Sequence, residues 1–439
     1  MRSGPGLLAA AVSAAVLVAA LPSTARAAVP TTSCALSQRT QTDRRPDVLA
    51  GPSIQVIYAH PSDAADNFGS MASKIATDVA TGNAWFLRED PTRAPRWDRY
   101  PFPGCATDLS QLDIADVSLP GTTAGYAPVR NRWTRLRTAL TAAPYRFNSA
   151  YKKYLVYYDG RVDDDDLCGQ GAGAPAGQGF AIMYAQACGQ VVGDGGMATA
   201  VAFHELLHSF GAVGGGALHE CQQPNDGHTC DNPRTADIMY PFTAGEPIDQ
   251  LFLDPGRDDY WGAGPIDGRE SAFLVRLDQP QQQLTVSHSG TDGIVESDVP
   301  GVYCSRTCVS SWGAGSEVEL VATASPGSRF VGWSGACSGR SPCFVTVDRA
   351  TNVTAAFSVA TRTLSVAVRG KGNVSSTPEG LACSAACGHA FPGGATVRLR
   401  AKAARGYRFA GWSGACRGTA ACAVTLSGNK RVTATFARR

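Results

Sequence analysis

Residues 197–211 read Met-Ala-Thr-Ala-Val-Ala-Phe-His-Glu-Leu-Leu-His-Ser-Phe-Gly, and this stretch decides the interpretation of the first domain. The small and apolar residues before the first histidine are good helix formers and predict a helix. His204 and His208 are four residues apart, so they share one face of that helix and can both reach one Zn²⁺. Glu205 is placed to act on a water at the metal without being a ligand.

A second motif follows this helix. Gly211 completes the pattern His-Glu-x-x-His-x-x-Gly and is expected to end the helix in the left-handed conformation. Thirty-one residues after His208 stands Met239, in the sequence Asp-Ile-Met-Tyr-Pro, which is similar to the Met-turn beneath the zinc ion of metzincins. Together the two motifs resemble a secreted bacterial metzincin-type zinc peptidase.

That resemblance implies a cofactor and roles for four residues. His204 and His208 would be zinc ligands, Glu205 the general base, and Met239 the Met-turn residue. The implied reaction is hydrolysis of peptide bonds by a zinc-bound water.

The third zinc ligand departs from the family pattern. The usual position, six residues after the second histidine, is Gly214, which has no side chain to bind a metal. We take His219 as the third ligand because a glycine-rich turn can return it to the site, and His228 is the second candidate. The chain also resembles exported metzincin-like proteins with a Gly-His pair and a later Gly-Arg-Asp-Asp-Tyr element, found here at 227–228 and 256–260. A glutamate further along the chain, Glu246 or Glu270, is a less favoured choice of third zinc ligand, because that arrangement leaves the Met-turn without a role.

The start of the chain and its cysteines predict an exported protein. Arg2, a short apolar run and Ala25-Arg26-Ala27 match a secretory signal peptide over residues 1–27, and no later segment is expected to span a membrane. The 14 cysteines are an even number, as in disulfide-bonded secreted proteins. The formal net charge is only +2 and we find no basic run, so no nucleic-acid partner is predicted. On order alone, Cys34 pairs with Cys105 and Cys168 with Cys188.

The C-terminal third is one module written twice. Four cysteines at 304, 308, 337 and 343 recur 79 positions later, and Gly-Trp-Ser-Gly-Ala-Cys occurs at 332–337 and 411–416. Short alternating runs predict strands, and the close cysteines are the simplest disulfide pairs by spacing, although four cysteines allow three pairings. The copies resemble the divergent internalin-type bacterial repeat. We expect Trp333 and Trp412 to pack in the cores rather than bind a ligand.

Alternating and helical patterns place the zinc helix in an α/β frame. Residues 54–58, 154–158 and 180–184 read as strands, and 68–79 and 129–140 as helices. By the metzincin resemblance the last strand borders the cleft, where it either pairs with an extended substrate or is a plain core strand. The acidic run Asp163–Asp166 has two interpretations, a calcium site or a solvated loop. The solvated loop is favoured, because alternate side chains in such a run point in different directions.

We therefore predict an α+β (α/β) metzincin-like zinc peptidase domain followed by two small disulfide-stapled all-β repeats. The expected segments are a signal peptide at 1–27, the peptidase domain at 28–282, and repeats at 283–360 and 361–439. The expected partners are a protein or peptide substrate and a cell-surface or matrix ligand of the repeats. The alternatives are an exported surface- or matrix-binding protein with a structural zinc site, and a zinc hydrolase acting on a non-peptide bond.

Overall fold

The first domain is built on one five-stranded sheet. The computed structural model describes residues 32–45, 47–106, 108–164, 166–222, 227–230, 236–241 and 245–439, so the predicted signal peptide lies outside the described residues. The strands of the domain are β1 (Ser53–Pro61), β2 (Arg93–Pro95), β3 (Ile114–Leu119), β4 (Lys152–Tyr158), β5 (Gly169–Ala172), β6 (Gly179–Tyr184) and β7 (Leu274–Arg276). Its α-helices are α1 (Phe68–Glu89), α2 (Thr123–Tyr126), α3 (Arg132–Thr141) and α4 (Met197–Ser209).

The sheet order is β3-β1-β4-β6-β5, and only β5 runs antiparallel to its neighbour. Every residue of β1, β4 and β6 is buried, because helices and loops cover both faces, as is usual for parallel strands. α1 and α4 pack in the core on one face, and α3 packs on the other. β2 and β7 form a separate two-stranded ribbon.

The three predicted strands of this domain and the helices predicted at 68–79 and 129–140 are present, with different ends. α1 continues ten residues past the expected Val79, to Glu89. α3 starts at Arg132, and Val129, which was expected to begin it, lies before the helix and is largely exposed. None of the helices within the described residues is long and apolar enough to cross a membrane.

The C-terminal third consists of two all-β repeats, as predicted, and each is a sandwich of two four-stranded sheets. The strands of the first are β8 (Gln281–Gly290), β9 (Gly293–Ser297), β10 (Tyr303–Cys304), β11 (Cys308–Gly313), β12 (Ser316–Ala324), β13 (Ser328–Gly335), β14 (Cys343–Val347) and β15 (Thr351–Val359). Those of the second are β16 (Thr361–Arg369), β17 (Gly372–Thr377), β18 (Ala382–Cys383), β19 (Cys387–Pro392), β20 (Thr396–Ala403), β21 (Tyr407–Gly414), β22 (Cys422–Thr425) and β23 (Lys430–Arg438).

The duplication in sequence is a duplication in topology. The first repeat has sheets β10-β9-β12-β14 and β11-β8-β15-β13, and the second has the matching β18-β17-β20-β22 and β19-β16-β23-β21. Each repeat closes two short disulfides, Cys304–Cys308 and Cys337–Cys343 in the first and their counterparts in the second. Trp333 and Trp412 are each 6% exposed, which confirms that they pack in the cores.

The first repeat packs directly on the first domain. Ala50 is buried in the core of the first repeat, and its N–H donates to the Ser311 carbonyl at 3.3 Å. The N–H of Gly51 donates to the Pro300 carbonyl at 2.6 Å. The segment before β1 thus joins the edge of the repeat.

Candidate metal centre

α4 carries two of the candidate residues on one face. Nearly all of its other residues are buried against β5 and β6, and His204 and His208 lie one turn apart with their Nε2 atoms 3.2 Å from each other. The helix ends as the sequence predicts: Gly211 has φ +88°, and its N–H donates to the His208 carbonyl at 3.0 Å.

β5 and the residue after it expose backbone rather than side chains to α4. A Cβ added at Gly171 would lie 2.3 Å from the Glu205 carbonyl oxygen, and one at Gly173 would lie 2.1 Å from that of Ser209. A Cβ at Gly169 would lie 2.7 Å from Cγ of Glu205. Glycine at alternate positions therefore lets the edge strand contact the helix that carries the candidate ligands.

His228 completes a group of three imidazoles. Its Nε2 atom lies 3.2 Å from that of His204 and 3.4 Å from that of His208. Three nitrogens bound tetrahedrally to one zinc ion at about 2.0–2.1 Å would be about 3.3–3.4 Å apart. The described residues thus present three nitrogen atoms at the spacing of a three-histidine zinc site.

A short disulfide-closed loop holds His228. Cys221 and Cys230 are bonded to each other, and the Cys221 N–H donates to the His228 carbonyl at 2.8 Å. The N–H of Thr229, the next residue, donates to the Met239 carbonyl at 3.0 Å. The backbone at His228 and Thr229 is therefore bonded both to Cys221 and to the predicted Met-turn.

The structure does not bring His219, the expected third ligand, to the other imidazoles. Its Nδ1 lies 3.0 Å from Asp259 Oδ2, and its N–H donates to Asp259 Oδ1 at 2.7 Å. The glycine-rich turn does return His219 to the His228 loop, where its carbonyl accepts the Cys230 N–H. Its side chain is committed to Asp259, so His228 is the third imidazole of the group.

The predicted Met-turn contacts one of the three imidazoles. Met239 is fully buried, and the Ile238 carbonyl is 2.6 Å from Nδ1 of His204. Because a carbonyl oxygen can only accept, Nδ1 carries the proton, which leaves the lone pair of Nε2 directed to the group.

Asp237 ties this turn to two other segments. Its Oδ1 accepts from the Met239 N–H at 2.8 Å and from the Tyr260 hydroxyl at 2.6 Å. Its Oδ2 accepts from the Thr229 hydroxyl at 3.1 Å. The Tyr260 hydroxyl in turn accepts the Asp254 N–H at 2.9 Å. Tyr260, the last residue of the Gly-Arg-Asp-Asp-Tyr element, thus supports the turn.

Burial sets the charge of the group. It lowers the pKa of His204 to about 4 and the pKa of His208 well below its usual value, with His228 adding to both shifts. Neutral imidazole is the form that binds a metal ion. Burial also raises the pKa of the Glu205 carboxyl to about 8, which favours proton uptake by this side chain near neutral pH.

Other sequence expectations lie elsewhere in the structure. β6 is hydrogen-bonded to β4 on one side and β5 on the other, so it is a core strand with no free edge for a substrate. Glu270 is 3.5 Å from Arg93 and Glu246 is exposed, and neither belongs to the imidazole group. In the acidic run, whose third residue is outside the described part, Asp163 pairs with Arg161 at 3.2 Å. The pairs Cys34–Cys105 and Cys168–Cys188 are confirmed.

A comparison with protein families supports the repeats. The model of the divergent InlB B-repeat domain matches residues 299–361 and 363–439. No curated protein matches the chain by sequence.

Solved structures show only distant likeness. OgpA from Akkermansia muciniphila, solved in complex with an O-glycopeptide, is 11% identical with a TM-score of 0.30, over 84% of this chain and 92% of that one. The major pilin T-13 of Streptococcus pyogenes is 10% identical with a TM-score of 0.20, over 36% and 97%. A C-terminal fragment of the pilus adhesin SpaC from Lactobacillus rhamnosus GG is 10% identical with a TM-score of 0.22, over 36% and 98%.

Proposed function

We propose that the chain is a secreted, zinc-dependent, metzincin-like endopeptidase. The observation that carries the proposal is the group of three Nε2 atoms, from His204, His208 and His228, within 3.4 Å of one another. Catalytic zinc sites use three protein ligands and keep one position open, whereas structural sites fill all four. The seven disulfides fit an oxidising, extracellular compartment.

The three imidazoles would hold the zinc ion, and Glu205 would move the proton. Bound zinc supplies a Lewis acid that polarises a scissile carbonyl and acidifies water. Glu205 follows His204 on the same helix and is buried, and its raised pKa suits a group that accepts a proton from water and passes it to the leaving amine. The Ile238 carbonyl and Asp237 keep the ring of His204 and the Met-turn in place.

An extended substrate would lie along β5. This strand is at the edge of the sheet and pairs with β6 alone among the described strands. Its glycines contact the helix that carries Glu205, so a peptide added at the free edge would run past the imidazole group. This arrangement replaces the pairing with residues 180–184 that the sequence suggested.

The test is the variant Glu205→Gln, assayed for hydrolysis of a peptide library and for bound zinc. The amide keeps the size of the side chain but cannot accept a proton, so turnover should fall about 10²–10⁴-fold while zinc content is unchanged. Glu270→Gln is the matched control because that side chain is exposed and outside the imidazole group, and it should keep full activity. Full activity of Glu205→Gln would contradict the proposal.

A further inference from the structure

The two repeats have the same fold but very different formal net charges. Residues 361–439 contain 13 basic side chains and one acidic side chain, a formal charge of +12, whereas residues 281–360 contain four basic and six acidic ones. Twelve of the 13 basic residues of the second repeat are exposed. Its only acidic residue is Glu379, so one acidic side chain stands against 13 cations within the module. The near-neutral charge of the whole chain conceals this difference.

Three of these cations form a straight row on one sheet. β20 alternates buried Val397 and Leu399 with exposed Arg398, Arg400 and Lys402. Alternate residues of a strand are about 6.6–6.8 Å apart and point to the same face, so the row spans about 13 Å.

The strands on either side of the row present short polar side chains. On β17, Asn373 pairs with Lys402, Ser375 with Arg400, and Thr377 with Arg398, and all three partners are exposed. On β22 the partner of Arg398 is exposed Ala423. The side chains beside the row are short, and those on β17 carry hydrogen-bonding groups, so an extended polymer can lie over the cations.

The first repeat shows that the fold does not require this row. The positions of Arg398, Arg400 and Lys402 correspond, at the offset of 79, to Glu319, Val321 and Thr323 on β12. β12 occupies the same place in its sheet as β20 does. The same strand thus carries an acidic and neutral face in one copy and a cationic face in the other.

We propose that the outer face of the β18-β17-β20-β22 sheet binds an anionic extracellular polysaccharide through Arg398, Arg400 and Lys402. The guanidinium and ammonium groups pair with sulfate or carboxylate groups of the polymer, and the flanking hydroxyl and amide groups bond its sugar hydroxyls. Bound in this way, the second repeat holds the first domain at an anionic matrix or cell surface.

Nucleic acids and membranes fit this face less well. β17, β20 and β22 contain no aromatic residue, so the face offers no platform on which unpaired bases stack. It is part of a four-stranded sheet, whereas the major groove of duplex DNA admits a helix or a two-stranded ribbon. It also carries no exposed large apolar side chain to enter a lipid layer.

The experiment compares two triple variants of the full chain on immobilised heparin oligosaccharide and on polygalacturonate at 0.15 M salt. The row variant is Arg398→Gln, Arg400→Gln, Lys402→Gln. The control removes the same charge from the other sheet, by Arg362→Gln, Arg408→Gln and Arg431→Gln, all exposed.

The row variant should lose about 100-fold in affinity for at least one of the two glycans, since each cation near an anionic surface contributes roughly fivefold. The control should lose no more than about threefold, because packed sheets are about 10 Å apart and the Debye length is about 8 Å. Both variants should keep the thermal stability and peptide hydrolysis of the parent. Equal losses in the two variants, or no binding of either glycan by the parent chain, would overturn the proposal.

Two further measurements complete the test. The substitutions Glu319→Arg, Val321→Arg and Thr323→Lys should add a second glycan site to the first repeat, and a chain that gains no affinity from them counts against the row. Duplex DNA and anionic lipid vesicles should bind at least tenfold more weakly than the preferred glycan. Equal or tighter binding of either would assign the face to that partner and refute the polysaccharide.

Discussion

Replacing His228 by alanine should remove zinc from the protein, whereas replacing His219 should not. The two histidines are nine residues apart, His219 just before the Cys221–Cys230 loop and His228 within it, so they form a matched pair. Only His228 has its Nε2 within 3.4 Å of both helix imidazoles. Structural zinc sites bind with about 10–16 kcal/mol shared among four ligands, so one imidazole contributes about 3 kcal/mol and its loss weakens zinc binding on the order of 100-fold.

His219→Ala should lower the stability of the fold rather than the affinity for zinc. Alanine keeps the backbone N–H bond to Asp259 Oδ1 and loses the contact of Nδ1 with Oδ2. The His219 side chain is 37% exposed, so water replaces part of that contact, and about 1 kcal/mol of stability is the expected loss. Zinc affinity should change less than about tenfold.

Competition with a chromophoric zinc chelator measures both affinities in the same experiment, and thermal unfolding measures stability. Peptide hydrolysis in excess zinc shows whether activity follows metal occupancy. The reasoning is refuted by a His228→Ala protein that keeps parental zinc affinity, or by a His219→Ala protein that loses zinc to the same extent.

Three further predictions test the surroundings of the site. Burial raises the pKa of Asp78 from 3.8 to about 7. The folded state therefore holds this proton more tightly than the unfolded state, and stability falls by up to about 4 kcal/mol as pH rises from about 4 to 7. Asp78→Asn should flatten that fall, measured by urea unfolding at pH 5 and pH 8, and an unchanged pH dependence would contradict the prediction. Gly171→Ala places a Cβ 2.3 Å from the Glu205 carbonyl and should cost about 1–3 kcal/mol of stability and lower peptide hydrolysis. Gly69→Ala is the control, because its Cβ would meet no other described segment within 4 Å, and it should cost nothing in thermal unfolding. Equal behaviour of the two variants would be contrary evidence. Tyr260→Phe removes the hydroxyl that bonds both Asp254 and Asp237. The loss should cost about 1–3 kcal/mol of stability and lower zinc affinity about tenfold, measured by chelator competition. A variant with the zinc affinity of the parent would exclude a role for this hydroxyl in holding the Met-turn.

Local patterns in the sequence predict the zinc helix, three of the four parallel strands and the repeats, whereas β3 was missed. His204 and His208 are placed by helical periodicity alone, and the apolar runs at 154–158 in β4 and 180–184 in β6 are recognisable because parallel strands are buried on both faces. The 79-residue repeat identifies the disulfides of the second copy from those of the first. Each of these features depends on residues close in sequence or on the duplication.

Features that depend on contacts between distant segments were not predictable in the same way. The choice between His219 and His228 depends on Asp259, forty residues beyond His219. The Asp259 carboxylate contacts the His219 ring, and His228 is the residue that joins the two helix imidazoles. The edge strand β5 was missed because Gly169, Gly171 and Gly173 give no apolar alternation. Their spacing of two was the available signal, since glycine on one face of a strand often marks a close backbone approach.

Zinc X-ray absorption spectroscopy of the metal-loaded protein tests the central claim most directly. The account predicts one zinc ion per chain with three imidazole nitrogens and one light solvent atom at about 2.0–2.1 Å. It also predicts that His228→Ala removes one imidazole from that shell and His219→Ala removes none. A shell of four protein ligands, or one that loses an imidazole only in His219→Ala, would contradict it.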